Sequence, residues 1–519
     1  MFYHGFRVSG MVLVASLLFT ACGPVAAPVT GPAPTARGIP PIPLIDGPLD
    51  IRVVHPTPST PRPNVDSTLI YGSVGSGNAT LRINGDVVRV EPNGSFLAFL
   101  PVPRDGTYNL AAELRGRTTT ATRAYRAPAA AAAAPAPAPT LVEFPEPRAA
   151  FISRGADTLQ TGSDVAIGRT SPTGTFRWFL PRGARVVATG QLGEMVRVRL
   201  DTATAWFPAA DITMEGQAAV PAAAPLGHFT AAPATGWIDL RLPANGAPFH
   251  LQPETGRLVL TIYGRTSPTG AQPTLDPLVG AVTWRESGSA QAEIRLAQPL
   301  WGYKVFYTQN GDLVLRLRRP PPIDANRPLN GIRVMIDPGH PPAGATGPTG
   351  LTEAEANLRI SLRLADMLRA RGADVMMTRT TDQPLVSATD AAAELRARTQ
   401  LAVDSDAHLF VSVHNNAFPE GVNPFRSQGT STYHFHPFSV DLARYLNEEI
   451  VRETQIRDLG HRTGNLAVVR PTWFPSALTE SVFMPIPDQE AALRDAGFVE
   501  RLAAAHVSGL ERFLRTVAR

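Results

Sequence analysis

Three stretches dominated by Pro, Ala, Gly and Thr divide this chain, and no single hydrophobic core is expected to run through them. They cover residues 23–63, 127–149 (low-complexity as far as Thr140) and 216–225. Segments so poor in large apolar side chains bury too little surface to offset the entropy of ordering, so a disordered tether and two linkers are expected there. The chain between them is expected to fold as separate units, at residues 64–126, 150–215, 226–325 and 330–519. A length of 519 residues agrees with several domains. Hydrophobic residues at 44% can build those cores, while 18% charge with 43 Gly and 50 Pro excludes a coiled coil or a wholly disordered chain.

The formal charge is only +4 and no basic run tracks a phosphate backbone, so nucleic acid is excluded as the expected partner. One cysteine, Cys22, rules out an internal disulfide framework and a cysteine-based metal site. Arg7 precedes the apolar run Met11 to Phe19, which ends in Thr20, Ala21, Cys22 and Gly23. That layout is an export signal, too short to span a membrane comfortably. The ending Phe-Thr-Ala-Cys resembles a bacterial lipoprotein signal, which implies that residues 1–22 are a signal peptide and that Cys22 is the lipidated residue. An ordinary cleaved signal or an uncleaved anchor is the alternative, and either takes the chain out of the cytoplasm.

The first three units read as all-β. Thr80 to Val90 alternates around an Asn84-Gly85 hairpin turn, and Asn93-Gly94 supplies another; residues 64–126 resemble an immunoglobulin-like β-sandwich. Short runs such as Ala184–Ala188 and Met195–Leu200 give residues 150–215 the look of an SH3-like β module. Residues 226–325 alternate again, in Trp237–Leu242, Arg257–Ile262, Ala292–Leu296 and Asp312–Leu317. The heptapeptide Gly-Arg-Thr-Ser-Pro-Thr-Gly occurs at 168–174 and 264–270 and reads as shared turn chemistry.

From Asn330 strands and helices alternate, the pattern of an α/β domain with a mostly parallel, twisted sheet flanked by helices. Buried strands are expected at Ile332–Ile336, Ala373–Met377, His408–Val413, Asn465–Val469 and Ala477–Phe483. Helices are expected at Ala354–Arg371, with Leu358, Leu362, Ala365 and Leu368 on its apolar face, at Ser439–Arg452, and from about Gln489. Chemistry in such a sheet lies beyond the carboxyl ends of the strands.

Two strand ends carry histidines: Asp337-Pro338-Gly339-His340, and Ser412-Val413-His414-Asn415-Asn416. Between them stands Leu351-Thr352-Glu353-Ala354-Glu355. Two imidazoles and one carboxylate make the donor set of a catalytic zinc with a position left open for water. Thr352 and Glu355 fit a capping box that turns Glu355 back to the helix start, which leaves Glu353 free to face the site.

At these residues the domain resembles the zinc-dependent N-acetylmuramoyl-L-alanine amidases, which cut peptidoglycan between the glycan and its stem peptide. The matches are Ile336 to His340, Glu353 four residues before Asn357-Leu358, Ser412 to Ala417, and Ala477-Leu478-Thr479-Glu480 followed by Phe483. Pro341-Pro342 stand where the family commonly has glycine, and Ala354 where it has lysine. The resemblance covers residues 330–519 and implies Zn2+ held by His340, Glu353 and His414, with Glu480 as the catalytic general base. It also makes residues 226–325 look like the AMIN-like sandwiches that precede envelope amidases. Asn416 is a candidate to orient His414 or touch substrate. His434 and His436 are expected on one strand face, as a second metal pair or a polar surface; His461 in a loop; Arg398 and Arg470 as ion-pair partners or saccharide contacts.

The expected protein is therefore an exported cell-envelope hydrolase, lipid-anchored to a membrane, acting on peptidoglycan in wall remodelling or daughter-cell separation. Its β modules would position it through peptidoglycan, a divisome protein or an activator. A non-catalytic envelope protein that binds peptidoglycan or activates another hydrolase, and a zinc peptidase, are the rival readings.

Overall fold

In the C-terminal domain the strands send alternate apolar residues into two different cores. The computed structural model describes residues 37–126, 138–153, 165–201, 203–217, 224–286, 288–342 and 344–518; the signal segment and Cys22 lie outside them. Six strands form one sheet: β1 Arg333–Pro338, β2 Asp374–Met377, β3 Leu409–Asn416, β4 Thr430–His434, β5 Asp458–Thr463 and β6 Ser476–Phe483. Their order is β2-β1-β3-β6-β4-β5. Neighbours run parallel except β4, which is antiparallel to β6. On β1, Val334 and Ile336 enter one core and Met335 the other; on β3, Leu409, Val411 and Val413 oppose Phe410. A strand's period of two makes this division unavoidable.

The first core is closed by helices α1 (Glu353–Arg369), α3 (Val440–Thr454) and α5 (Ala496–Val517). The second is closed by α2 (Ala391–Asp404) and by Val468, Val469 and Phe474. A short helix α4, Pro487–Arg494, precedes α5, so the single closing helix expected from the sequence is two. The buried stripe of α1 is Ala356, Ile360, Leu364, Ala365 and Leu368, while Leu358 is half-buried and Leu362 exposed. Two neighbouring stripes satisfy helical spacing, and the packing of α5 selects between them. The strand expected at Asn465–Val469 is a 3-10 turn, Ala467–Val469, because Val468 and Val469 are buried by packing and not by strand pairing; the edge strand is β5.

Residues 52–124 form a three-stranded and a four-stranded sheet over a core that includes Ile70, Leu81, Phe96 and Tyr108. Asn84 and Gly85 both have positive φ, 51° and 91°, as a two-residue hairpin turn requires. A seven-stranded sheet spans 142–217, and two four-stranded sheets span 230–318. Their buried residues merge into one cluster, and Trp178 Nε1 donates to Tyr263 Oη across the join at 2.9 Å. Both copies of the repeated heptapeptide fall where a strand ends in a turn.

Two expected unstructured stretches need correction. The tether placed at 23–63 is ordered from Arg37 onward: Gly38 N–H donates to Glu453 O at 2.8 Å, Arg501 donates to Gly38 O at 3.0 Å, and Arg52–His55 is a strand. A strand also starts at Val142, inside the linker placed at 127–149. Pro- and Ala-rich chain cannot make its own core, but it can lie extended on surfaces that other segments supply. Nor do the modules hang free of the six-stranded sheet. Arg318, 5% exposed, donates to Ala407 O at 2.7 Å, Trp473 O at 3.0 Å and Asp406 Oδ1 at 2.7 Å, and Trp301 Nε1 donates to His408 O at 2.8 Å. At the other end of the sheet Leu69, Tyr71 and Leu97 of the first module cover Phe483 and Ile486.

Candidate active site

β1 leaves the sheet through Asp337 and Pro338 into the turn that carries His340. Gly339 lies against the ring of His414, where an added Cβ would meet the imidazole at 2.3 Å, so no larger residue fits. His340 itself has φ of 59°, the left-handed region that non-glycine residues avoid. Its Nδ1 lies 3.1 Å from Pro342 O, a hydrogen bond that leaves the Nε2 lone pair free.

Glu353 opens α1. Thr352 caps that helix by accepting from Glu355 N–H at 3.2 Å, while the Glu355 side chain pairs with Arg359 one turn on and does not fold back to complete the capping box. Glu353 is 5% exposed, and its Oε1 lies 3.1 Å from His340 Nε2 and 3.0 Å from His414 Nδ1. Its Oε2 accepts from Ala345 N–H at 3.0 Å. Burial works against the Glu353 charge, but the two imidazoles outweigh it and hold the carboxyl well below the usual range. Burial likewise lowers His340, and Glu353 more than reverses it. One donor atom from each of His340, Glu353 and His414 lies within 4.8 Å of the others, the one such cluster among the described residues. Two imidazole nitrogens and a carboxylate oxygen, brought together with nothing between them, suit a divalent transition metal.

Glu480 stands on β6 opposite His414 of β3. The residue is half-buried, but its Oε2 is sealed from solvent and has no hydrogen-bond partner among the described residues. Burial first, and the charge of Glu353 second, push its carboxyl well above the ordinary value. A carboxyl raised by burial beside a metal-type donor cluster has the protonation behaviour that proton transfer near neutral pH would require.

Of the polar frame behind these groups the sequence reading named only Arg398, as an ion-pair partner, and missed the rest. Asp337, 1% exposed, accepts from Thr378 at 2.6 Å, Ser412 at 2.7 Å and Arg398 at 2.9 Å. Asn415 donates its N–H to Glu353 Oε1 at 3.3 Å and its amide to Asn357 at 2.8 Å. Asn416, considered for that part, accepts instead from Ala417 N–H at 2.7 Å. A buried Arg or Asn in the sequence gives no local sign of its partners, since they come from four separate segments.

Other candidates lie elsewhere. His434 ends β4 and His436 follows it, bonded to Arg470 O at 2.7 Å, so the two do not share a strand face. His461 is on β5, not in a loop, with its ring 6.0 Å from that of His434. Arg470 donates to Asn465 O at 2.9 Å, within its own turn; Arg398 is an ion-pair partner as expected, of Asp337 and Glu394 at 2.9 Å each, and is too buried to meet a saccharide.

A family model described as N-acetylmuramoyl-L-alanine amidase matches residues 334–512. N-acetylmuramoyl-L-alanine amidase CwlM of Bacillus licheniformis is 31% identical over 190 residues, 35% of this chain and 68% of the relative. The sporulation-specific amidase of Bacillus subtilis is 30% identical over the same shares, and its germination-specific amidase 27% over 36% of this chain and 81% of the relative. The matched stretch is the domain in which the two histidines, Glu353 and Glu480 converge, and on both grounds the chain belongs to the N-acetylmuramoyl-L-alanine amidase family and is a peptidoglycan hydrolase of the cell wall.

Proposed function

We propose that His340, Glu353 and His414 hold a zinc ion and that Glu480 is the general base for hydrolysis of the amide between N-acetylmuramic acid and the L-alanine of the stem peptide. What supports this most is the meeting of the three donor atoms within 4.8 Å beside a carboxyl with a sealed, unpartnered oxygen. Zinc, when bound, would polarise the scissile carbonyl and bring the pKa of water to about 7. The chain's own contribution is proton handling. Glu480 takes the proton of the attacking water and returns it to the departing amine of L-alanine, and its raised pKa suits both halves of that exchange. His340 keeps Nε2 turned to the site through its Nδ1 bond to Pro342 O.

The biological setting follows from the signal segment and the relatives. A Cys22 lipid anchor would hold the enzyme on the periplasmic or extracytoplasmic face of a membrane, in reach of the wall, for remodelling or daughter-cell separation. Among the described residues no helix is long and apolar enough to cross a membrane. The three β modules would serve peptidoglycan or a divisome or activator protein.

The test is to incubate the purified full chain with peptidoglycan, with chelator and with zinc restored, and to identify the fragments by mass spectrometry. Stem peptides beginning at L-alanine, released only with metal, are expected; release that chelation leaves unchanged would sink the zinc reading.

A further inference from the structure

The turn that carries His340 has almost no donors of its own. Pro338, Pro341 and Pro342 lack an N–H, so between Asp337 and Ala343 the backbone can be held mainly by what donates to its carbonyls. Within the turn His340 Nδ1 lies 3.1 Å from Pro342 O; from outside it, Val413 O accepts from Gly339 N–H at 2.9 Å, Asn357 Nδ2 donates to Gly339 O at 3.2 Å, and two arginines supply the other ties. Arg398 donates to Pro338 O at 2.8 Å, His340 O at 3.0 Å and Pro341 O at 2.9 Å. Arg379 donates to Pro338 O at 2.9 Å and Gly339 O at 3.0 Å, and to Ala354 O of α1 at 2.7 Å. Both side chains are buried, 2% and 5% exposed, so neither is available to substrate.

We propose that Arg398, backed by Arg379, is a positioning residue that holds His340 in its left-handed conformation with Nε2 facing Glu353 and His414. This rests on the metal-centre reading above. A left-handed non-glycine residue persists only where its surroundings over-determine it, and Arg398 takes the carbonyl of His340 and those on both sides of the His340-Gly339 pair. The charge is matched by Asp337 Oδ1 and Glu394 Oε1, each 2.9 Å away. Glu394 in turn accepts from Leu385 and Val386 N–H at 2.8 Å, so the clamp is anchored on both sides. Only guanidinium has the five donors in one plane that this set of acceptors needs; an ammonium on the same helix can meet at most three.

The experiment uses the full chain, stripped of metal and titrated with Co2+, with affinity read by chelator competition and geometry by the visible absorption of the bound ion. Arg398→Lys keeps the buried charge against Asp337 and Glu394, and it is expected to lose about 10-fold in Co2+ affinity and to alter the absorption. Arg398→Ala is expected to lose up to about 100-fold, with part regained on adding millimolar guanidinium. Wild-type affinity and spectrum in a folded Arg398→Lys protein would overturn the proposal while leaving the metal centre standing. If the unaltered chain takes up no Co2+, the metal-centre reading itself fails and the positioning role goes with it.

Discussion

Glu480 is a carboxyl in a place that penalises its charge, and that penalty has two measurable consequences. Replacing Glu480 by Gln keeps shape and burial but removes the proton acceptor, so kcat should fall by about 10²- to 10⁴-fold while one equivalent of metal stays bound. Retained turnover would remove Glu480 from the mechanism. The second consequence concerns stability of the metal-free protein. Because the folded pKa lies above the ordinary 4.5, the folded state keeps a proton that the unfolded chain gives up, and stability falls as pH rises from 4.5 towards the folded value. Thermal unfolding of chelated Glu480→Gln should therefore decline less between acid and neutral pH than that of the unaltered protein; equal slopes would show that the site does not penalise the charge.

At the scale of elements, the site depends on how α1 begins. Thr352 has an extended backbone and caps the helix, which places Glu353 at its first position and buries it against both histidines. Thr352→Ala should cost about 1 kcal/mol, seen as a lower Tm, and should weaken metal binding because the first turn frays where Glu353 sits. Unchanged metal affinity with the lower Tm would show that Ala345 and Asn415 suffice to hold Glu353. The loop before α1 is pinned from the far side as well: Glu490 of α4, fully buried, accepts from Thr349 Oγ1 at 2.6 Å. Strand ends carry the two histidines, but the start of α1 and a loop anchored on α4 place the carboxylate between them.

For the whole molecule the question is what docking does. Arg318 joins the third β module to the N-terminal end of β3, the opposite end from His414, and burial pushes its guanidinium down to about 10. Arg318→Ala leaves buried carbonyls unpaired and should cost about 1–3 kcal/mol for each, lowering Tm, with catalysis unaffected because the contact lies several residues from the ligand end. The first module is joined nearer the site, where Glu420, six residues after His414, meets His55 at 3.0 Å and also Thr68. Burial raises the Glu420 carboxyl, but those two hydrogen bonds outweigh it and bring it below the ordinary 4.5. A depressed carboxyl stabilises above its unfolded pKa and loses that contribution as pH falls through the folded value. The amides of Ala417, Phe418, Glu420, Gly421 and Val422 should thus exchange faster, relative to intrinsic rates, at about pH 3 than at pH 7, and Glu420→Gln should flatten the difference.

Much of this protein can be read from local pattern. Alternating apolar runs, a histidine at each of two strand ends, and the Thr352 cap that starts α1 at Glu353 are short-range facts, because strand period and helix capping act over a few residues. The Asn84-Gly85 turn is of the same kind. Tertiary structure decided the rest. Arg379, Asn357 and Asn415 look like ordinary polar residues until segments far apart in sequence bring their partners within reach, and Arg398 shows a charge in want of a partner without showing which. The α1 stripe was chosen by α5, and Val468-Val469 became a buried turn because a packed surface was there to receive them. The Pro- and Ala-rich stretch from Arg37 reads as tether because it has no core of its own; it is ordered because other segments lend it one, and no composition reveals a surface that exists only after the chain has folded.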